Sequence, residues 1–259
     1  MKQTILSARQ SELLENLIVK HGQIVTSGQI FQETSSYYDN KQAKNLVTKL
    51  VKNGWLVRIK RGVYAISDLG SRGFLSLSPY VVANILAPES YVSFESALQH
   101  YGMFDQLTSK TISVALKMHK SVSLKGMEYS FVTTKPKYFF GWQEIQIVNQ
   151  AARIATPEKA LIDLINFHRS QYSIDLVIEK LMEHQNDLDL TRLNDYLSRF
   201  SVTTIKIFGL IFDLLHISSE RLYGLAKPAG THWMVPGDKK FNAKWRLYYD
   251  PYFDKYQTT

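Results

Sequence analysis

The chain has 259 residues, of which 45% are hydrophobic and 12% aromatic, a composition typical of a folded globular protein. It contains no cysteine, which excludes a disulfide framework, a thiolate zinc site and a cysteine nucleophile. The net charge of +8 is uneven, because residues 1–75 hold eleven Lys or Arg and five Asp or Glu, a net of +6. The N-terminal third is therefore the candidate for contact with a polyanion.

The first forty residues predict two helices followed by a turn. An apolar stripe indicates a first helix over Ser7–His21. Thr26 and Gln29 have the spacing of a capping box, which predicts that a second helix begins at Thr26. Asp39 follows a turn and is a suitable N-cap for a third helix.

The third helix, predicted over about Asn40–Asn53, has the clearest pattern in the chain. Its apolar residues recur at helical spacing and form one stripe: Ala43, Leu46, Val47, Leu50 and Val51. Gly54 is expected in the left-handed conformation that ends many helices. Residues 55–59 and 63–66 then predict two strands joined by a turn. Three helices followed by a hairpin are the order of a winged helix-turn-helix.

Seven cations and no carboxylate lie between Asn40 and Ser67. The cations are Lys41, Lys44, Lys49, Lys52, Arg58, Lys60 and Arg61. Lysines on an exposed helix face usually serve only solubility, but such a face normally mixes the two signs of charge. The single sign, followed at once by a basic hairpin, favours DNA binding.

The predicted DNA contacts divide by chemistry. In the major groove, Gln42 and Asn45 can pair with adenine and Lys41 with guanine. Further along the helix are residues expected to reach phosphates, namely Thr48, Lys49 and Lys52, and Lys44 belongs to the same basic surface. Arg58, Lys60 and Arg61 are expected to touch phosphate or the minor groove. About five to seven phosphate contacts would release counterions from the DNA. The logarithm of the affinity should therefore fall with the logarithm of the salt concentration at a slope near −5 to −6.

Beyond residue 73 the pattern changes to mixed helices and strands, and the fold class is therefore α+β. The sequence predicts a winged helix-turn-helix at residues 1–68, an α/β domain at 74–170 and a helical region at 171–259 that ends in an aromatic and basic tail. Predicted helices include residues 79–86, 94–101 with Ser93 as the cap, and one beginning near Thr156. Predicted strands cover residues 111–116, 128–133 and 144–149.

Four stretches carry a resemblance to a known family: residues 50–64 (LVKNGWLVRIKRGVY), 91–103 (YVSFESALQHYGM), 112–114 (ISV) and 155–164 (ATPEKALIDL). In their order and spacing the chain resembles the AbiEi antitoxins of bacterial type IV toxin–antitoxin systems. The resemblance implies a winged helix joined to an antitoxin domain, repression of its own operon at promoter inverted repeats, and neutralisation of a nucleotidyltransferase-like toxin. Such pairs often act in phage defence. The part after about residue 170 is longer than the minimal family pattern.

Other functions have weaker support. A stand-alone winged-helix regulator with a ligand- or partner-sensing C-terminal region is the alternative. The histidines lack metal-ligand spacing, and no nucleophile elbow, Walker loop or dinucleotide fingerprint occurs. Asp238-Lys239-Lys240 matches half of a nuclease motif, but a solvated turn explains it equally. We therefore predict no enzyme, catalytic residue, metal ligand or cofactor.

Two further expectations concern the tail and the cell. The tail from Trp233 to Tyr256 fits base stacking, a protein contact or, slightly better, packing against the helical region. Neither a signal peptide nor an apolar run long enough for a membrane is present, so we expect a cytoplasmic protein. Inverted repeats suit either a preformed dimer or cooperative monomers.

Overall fold

A computed structural model of the protein describes residues 5–67, 76–226 and 230–258. Its contacts divide the chain into two units, residues 1–88 with 123–127 and residues 89–122 with 128–259. The boundaries given above for three domains stay predictions, and the one expected between residues 68 and 74 falls within residues 68–75, outside the described residues.

The first unit contains the predicted winged helix-turn-helix. Its elements in chain order are α1 (Ala8–His21), β1 (Ile24–Thr26), α2 (Ser27–Thr34), α3 (Asn40–Lys52), β2 (Leu56–Lys60), β3 (Val63–Ile66) and α4 (Pro79–Leu86). The strand β3 is central and runs antiparallel to both β1 and β2. The strands β2 and β3 form the wing, and Gly54 has the predicted left-handed conformation, with φ of 80°.

Three helices of this unit begin with the same local device. In α1, α2 and α3 the N-cap side chain accepts a hydrogen bond from the third helical residue, and a glutamine at that position bonds back to the N-cap backbone. The pairs are Ser7 with Gln10, Thr26 with Gln29, and Asp39 with Gln42. Each capping box satisfies two backbone N–H groups that the helix itself leaves unpaired. The helix starts are therefore fixed locally, as the sequence predicts for α2 and α3.

The core of the first unit lies between the helices and the small sheet. It is built from side chains with little or no exposure, among them Leu17, Val25, Ile30, Leu50 and Leu56. The predicted stripe of α3 supplies Leu46, Val47 and Leu50 to this core. Burial of one apolar face orients the rest of α3 outward.

The short strand β1 is absent from the sequence expectation. It has three residues, which pair with β3 in the register Ile24↔Ala65 to Thr26↔Val63. A three-residue strand is too short for an alternating pattern to mark it. Its partner lies some forty positions along the chain, so it depends on tertiary pairing that the local sequence does not reveal.

The second unit is built on a mixed sheet. The elements are β4 (Ser90–Val92), α5 (Phe94–His100), β5 (Lys110–Ala115), β7 (Met127–Thr133), β8 (Trp142–Ile147) and β9 (Gln150–Ala155), whereas the short strand β6 (Val122–Leu124) falls mostly within residues 123–127, which group with the first unit. The order of the strands of the second unit is β7-β5-β4-β9-β8. The strand β4 is antiparallel to β5 and parallel to β9. This arrangement confirms the mixed α/β character predicted after the winged helix.

Helices dominate the remaining chain until a small C-terminal sheet. The helices are α6 (Pro157–Phe167), α7 (Gln171–Glu183), α8 (Leu190–Leu197), α9 (Val202–Leu214) and α10 (Glu220–Ala226). The strands β10 (His232–Trp233), β11 (Lys240–Asn242) and β12 (Leu247–Tyr249) follow, and a 3₁₀ helix covers Pro251–Thr258. In the described parts of the chain no helix combines the length and apolarity needed to cross a membrane.

The tail packs against the helical region, as we expected. Trp245, Tyr249 and Phe253 are buried, and the indole Nε1 of Trp245 donates to Asp213 Oδ2 on α9 at 2.6 Å. The ring of Trp245 lies so close to Gly209 that a Cβ atom there would come within 2.1 Å of it. Gly209 is thus the position where α9 leaves room for the tail.

A charged pair lies in the core of the second unit. Lys159 and Asp163 are one turn apart on α6, and both side chains are fully buried. Ser93 Oγ and Tyr91 OH donate to Asp163 Oδ2 at 2.7 and 3.1 Å, and Lys159 Nζ also donates to Tyr91 OH at 2.7 Å. Ser93 lies at the N-cap of α5 as predicted, but its hydroxyl bonds to Asp163 and makes no capping bond.

Aromatic rings and a glycine enclose the lysine. Lys159 Nζ lies 5.1 to 5.4 Å from the ring centroids of Tyr91, Phe140 and Phe200. Gly141 adjoins its stem, where a Cβ would lie 3.0 Å from two side-chain carbons. Burial lowers the pKa of Lys159 and raises the pKa of Asp163, and each charge opposes the shift of the other.

We predict that Asp163→Ala destabilises the protein by about 3–5 kcal/mol, because it leaves a buried ammonium group without its counter-charge. The change in urea unfolding midpoint measures this. The control is Glu128→Ala, which breaks an exposed pair with Lys110 at 3.6 Å and should cost below about 1 kcal/mol. Equal midpoints for the two variants would contradict a dominant role for the buried pair.

We predict that Gly209→Ala also destabilises the protein, by about 1–3 kcal/mol, because the methyl group must displace the ring of Trp245. Gly224→Ala on α10 is the matched control, since a Cβ there meets nothing within 4 Å. Replacing that helical glycine should raise stability by about 0.5–1 kcal/mol. Thermal unfolding of both variants distinguishes overpacking from a general effect of glycine replacement.

Candidate nucleic-acid interface

The polar face of α3 is open to solvent over its whole length. All seven predicted contact residues on this helix are exposed: Lys41, Gln42, Lys44, Asn45, Thr48, Lys49 and Lys52. The apolar stripe on the other side is buried in the core. The structure therefore brings these seven side chains together on one surface of the first unit.

The lysines of this surface have no neighbouring counter-charge. Within residues 5–67, 76–226 and 230–258, no carboxylate lies within 4.0 Å of an amino group on α3. Elsewhere in the same unit Glu33 accepts from Lys20 at 2.7 Å, and His21 lies 3.6 Å from it. The unit thus pairs Lys20 of α1 with a carboxylate and, among the described residues, leaves the lysines of α3 available for phosphate.

Two predicted contact residues already hold hydrogen bonds. Gln42 Oε1 accepts from the backbone N–H of Asp39 at 3.0 Å as part of the capping box. Thr48 donates its hydroxyl hydrogen to the backbone oxygen of Lys44 at 3.0 Å. Bidentate pairing with adenine would need both the oxygen and the NH₂ group of the Gln42 side-chain amide. A phosphate contact by the Thr48 side chain would need its hydroxyl hydrogen, which is the only donor on that side chain. Asn45 and Lys41 have no such commitment among the described contacts.

The wing places its three cations differently. Arg58 on β2 and Arg61 at the turn are exposed. Lys60 is only half-exposed, and its Nζ donates to the backbone oxygen of Ile85 on α4. The turn is fixed by Gly62, which has φ of 77° and whose oxygen accepts from Ser27 N at 2.9 Å. The two arginines are therefore free to meet a phosphate, whereas Lys60 must first leave its carbonyl partner.

A further cation and an exposed ring lie next to this surface. Tyr37, in the turn before α3, is 62% exposed, and the guanidinium of Arg9 lies 5.8 Å from its ring centroid. Both have the chemistry for a phosphate contact near the start of α3. No sequence pattern marks them, because a lone arginine on an amphipathic helix carries no pattern of its own.

The nuclease-like fragment has a structural explanation. Asp238 lies in a turn, and its carboxylate accepts from the backbone N–H of Val235 at 2.7 Å. Lys240 begins β11 and pairs with Asp254. In the part of the chain that the structure describes, no group of three or more histidine or acidic side chains is arranged to hold a metal ion.

Comparison with known proteins agrees with the first unit. Residues 12–67 match the family model described as "Transcriptional regulator, AbiEi antitoxin", which confirms the resemblance over this segment. The match begins in α1 and ends directly after β3, so it covers the helices and wing described above. No curated protein matches the chain.

A solved structure extends the comparison to nearly the whole chain. The Rv2827c protein from Mycobacterium tuberculosis aligns with 95% of this chain and 92% of its own, with a TM-score of 0.68 and 14% identity. At that identity the likeness shows a shared fold. The fold of both units therefore also occurs in that Mycobacterium tuberculosis protein.

We predict that Arg61→Ala reduces the salt dependence of DNA binding by about 0.9 in slope, the value for one phosphate contact. Lys60→Ala should change the slope less, because its ammonium group already bonds to Ile85. Lys20→Ala is the matched control, since this cation is paired with Glu33. Fluorescence anisotropy of a labelled duplex across a salt series measures all three. An unchanged slope for Arg61→Ala would contradict a contact between the wing and the DNA backbone.

Proposed function

We propose that this protein is a DNA-binding transcriptional regulator and antitoxin. It binds inverted repeats in its own promoter, represses its operon, and neutralises a nucleotidyltransferase-like toxin of a type IV system active in phage defence. It acts in the cytoplasm and by binding, not by catalysis. The observation that carries the proposal is the surface of α3, whose exposed lysines have no carboxylate partner in the described part of the chain and are followed by an arginine-bearing wing.

The residues divide the work of recognition. Asn45 lies in the middle of the exposed face with a free amide, which suits bidentate pairing with adenine in the major groove. Lys44, Lys49 and Lys52 supply phosphate contacts, which set affinity and register without reading sequence. Arg58 and Arg61 extend these contacts along the DNA backbone. Two copies on adjacent half-sites would be separated by about one helical turn of 34–36 Å.

Support for the antitoxin role comes from the family match together with the second unit. The matched segment ends at Ser67, and most of the chain belongs to the second unit, with its own sheet and core. We assign neutralisation of the toxin to the second unit and promoter binding to the first.

We predict that Asn45→Ala reduces discrimination between the promoter and a scrambled duplex by about 1–3 kcal/mol, because one bidentate base contact is lost. Lys44→Ala should weaken binding to the two duplexes equally, since a phosphate contact carries no sequence information. Paired anisotropy titrations on the two duplexes provide the measurement. A uniform loss for both variants would contradict the assignment of Asn45 to a base.

A second prediction separates the two functions. The triple variant Lys44→Ala, Lys49→Ala and Arg61→Ala should release a promoter reporter yet still rescue growth when expressed with the adjacent toxin gene. The chain truncated after Gly73 should show no rescue, because it lacks the second unit. Rescue by the truncated chain would place antitoxin activity in the winged helix, and failure of the triple variant to rescue would tie neutralisation to DNA binding.

A further inference from the structure

We propose that a cleft beside β10 in the second unit binds a nucleotide, with the base against Trp233 and the phosphate near Arg169. This site is separate from α3 and the wing, and it goes beyond promoter recognition and toxin control. Its shared chemistry, a heterocycle joined to a phosphate, is offered either by a free nucleotide or by one residue of a single-stranded nucleic acid.

The cleft has the size of a small-molecule site. Its volume is about 420 Å³, within the roughly 300–1,000 Å³ range of ligand pockets. Trp233 and His232 line one part, and Thr203 of α9 and Arg169 after α6 line another. His232 is held in place by a contact of 2.7 Å between its Nδ1 and Thr203 Oγ1. The walls thus come from elements that are anchored to one another.

Trp233 provides a supported aromatic face. It is 47% exposed, and its ring stacks on Tyr248 with centroids 5.4 Å apart and planes at 17°. Tyr248 also packs against Phe241 at 5.1 Å. The three residues occupy facing positions on adjacent strands, in the registers Trp233↔Tyr248 and Phe241↔Tyr248. Trp233 lines the cleft and Tyr248 does not, and an aromatic ring in the wall of a cleft can stack on a base.

The charges around the cleft favour an anion. Arg169 is exposed, and no described carboxylate pairs with its guanidinium. Lys206, one turn along α9 from Thr203, is buried, and its Nζ already donates to Gly230 O at 2.8 Å. None of the described residues that line the cleft is acidic. The nearby carboxylate of Asp238 is occupied by the Val235 N–H.

These features together identify the occupant. A flat aromatic wall suits a planar heterocycle, and the exposed guanidinium of Arg169 suits a phosphate. A protein partner would gain most from a broad surface with an apolar centre, whereas this site is concave and bordered by charge. The combination therefore favours a nucleotide over a peptide.

The test uses the full chain with two probes, AMP and a short fluorescein-labelled deoxyadenosine oligonucleotide. We expect Trp233→Ala and Arg169→Ala each to weaken binding by roughly 10-fold, the loss typical of one stacked base or one charge-assisted contact. Trp233→Phe should retain most of the affinity because it keeps an aromatic face. Phe241→Ala is the matched control, since its ring is 46% exposed at the other end of the row and outside the cleft.

The two probes separate the sources of the ligand. Binding of AMP alone supports a free nucleotide, and binding of the oligonucleotide with the same variant losses supports a single strand. Binding of the promoter duplex should be unaffected by either cleft variant, so a failure here is distinct from a failure of promoter recognition. Absence of binding to both probes at millimolar concentration would overturn the proposal. An equal loss for Phe241→Ala would overturn it as well.

Discussion

The buried pair of Lys159 and Asp163 is the constraint on which the second unit depends. Two opposite charges that are both fully buried are stable only when the neighbouring polar groups form hydrogen bonds with them. Tyr91 on β4 and Ser93 at the start of α5 each donate a hydrogen bond to Asp163. The ring of Phe200, just after α8, packs beside the ammonium group of Lys159. The sheet and the C-terminal helices therefore share one polar centre as well as an apolar core.

The two units handle charge in opposite ways. In the second unit a lysine is enclosed by rings and a carboxylate, so its charge serves the fold. In the first unit the capping boxes and the buried stripe orient α3 so that its lysines are exposed and have no carboxylate partner among the described residues. These lysines are therefore available for an external anion. The same residue type is thus structural at position 159 and a candidate contact at position 44.

Much of the first unit could be predicted from the sequence because its signals are local. Capping residues, the apolar stripe of α3 and Gly54 each act within a few positions of the chain. The strand β1 escaped because it exists only through pairing with β3, and the bond from Lys60 to Ile85 depends on tertiary packing. Likewise, Lys159 and Asp163 have the spacing of an ordinary exposed helical pair, and no local pattern distinguishes a buried pair from a solvated one. The cleft beside Trp233 gathers residues from α9, β10 and the end of α6, whose proximity no local signal shows.

The attachment of the wing to α4 has a consequence for the kinetics of recognition. Because Lys60 bonds to Ile85 and Gly62 bonds to Ser27, the hairpin is immobilised before any ligand arrives. Binding then requires little further ordering of the wing, and the conformational entropy of placing it is lost during folding instead. A preorganised wing therefore loses less conformational entropy when DNA binds. Differences in affinity among operators would then arise chiefly from dissociation rates.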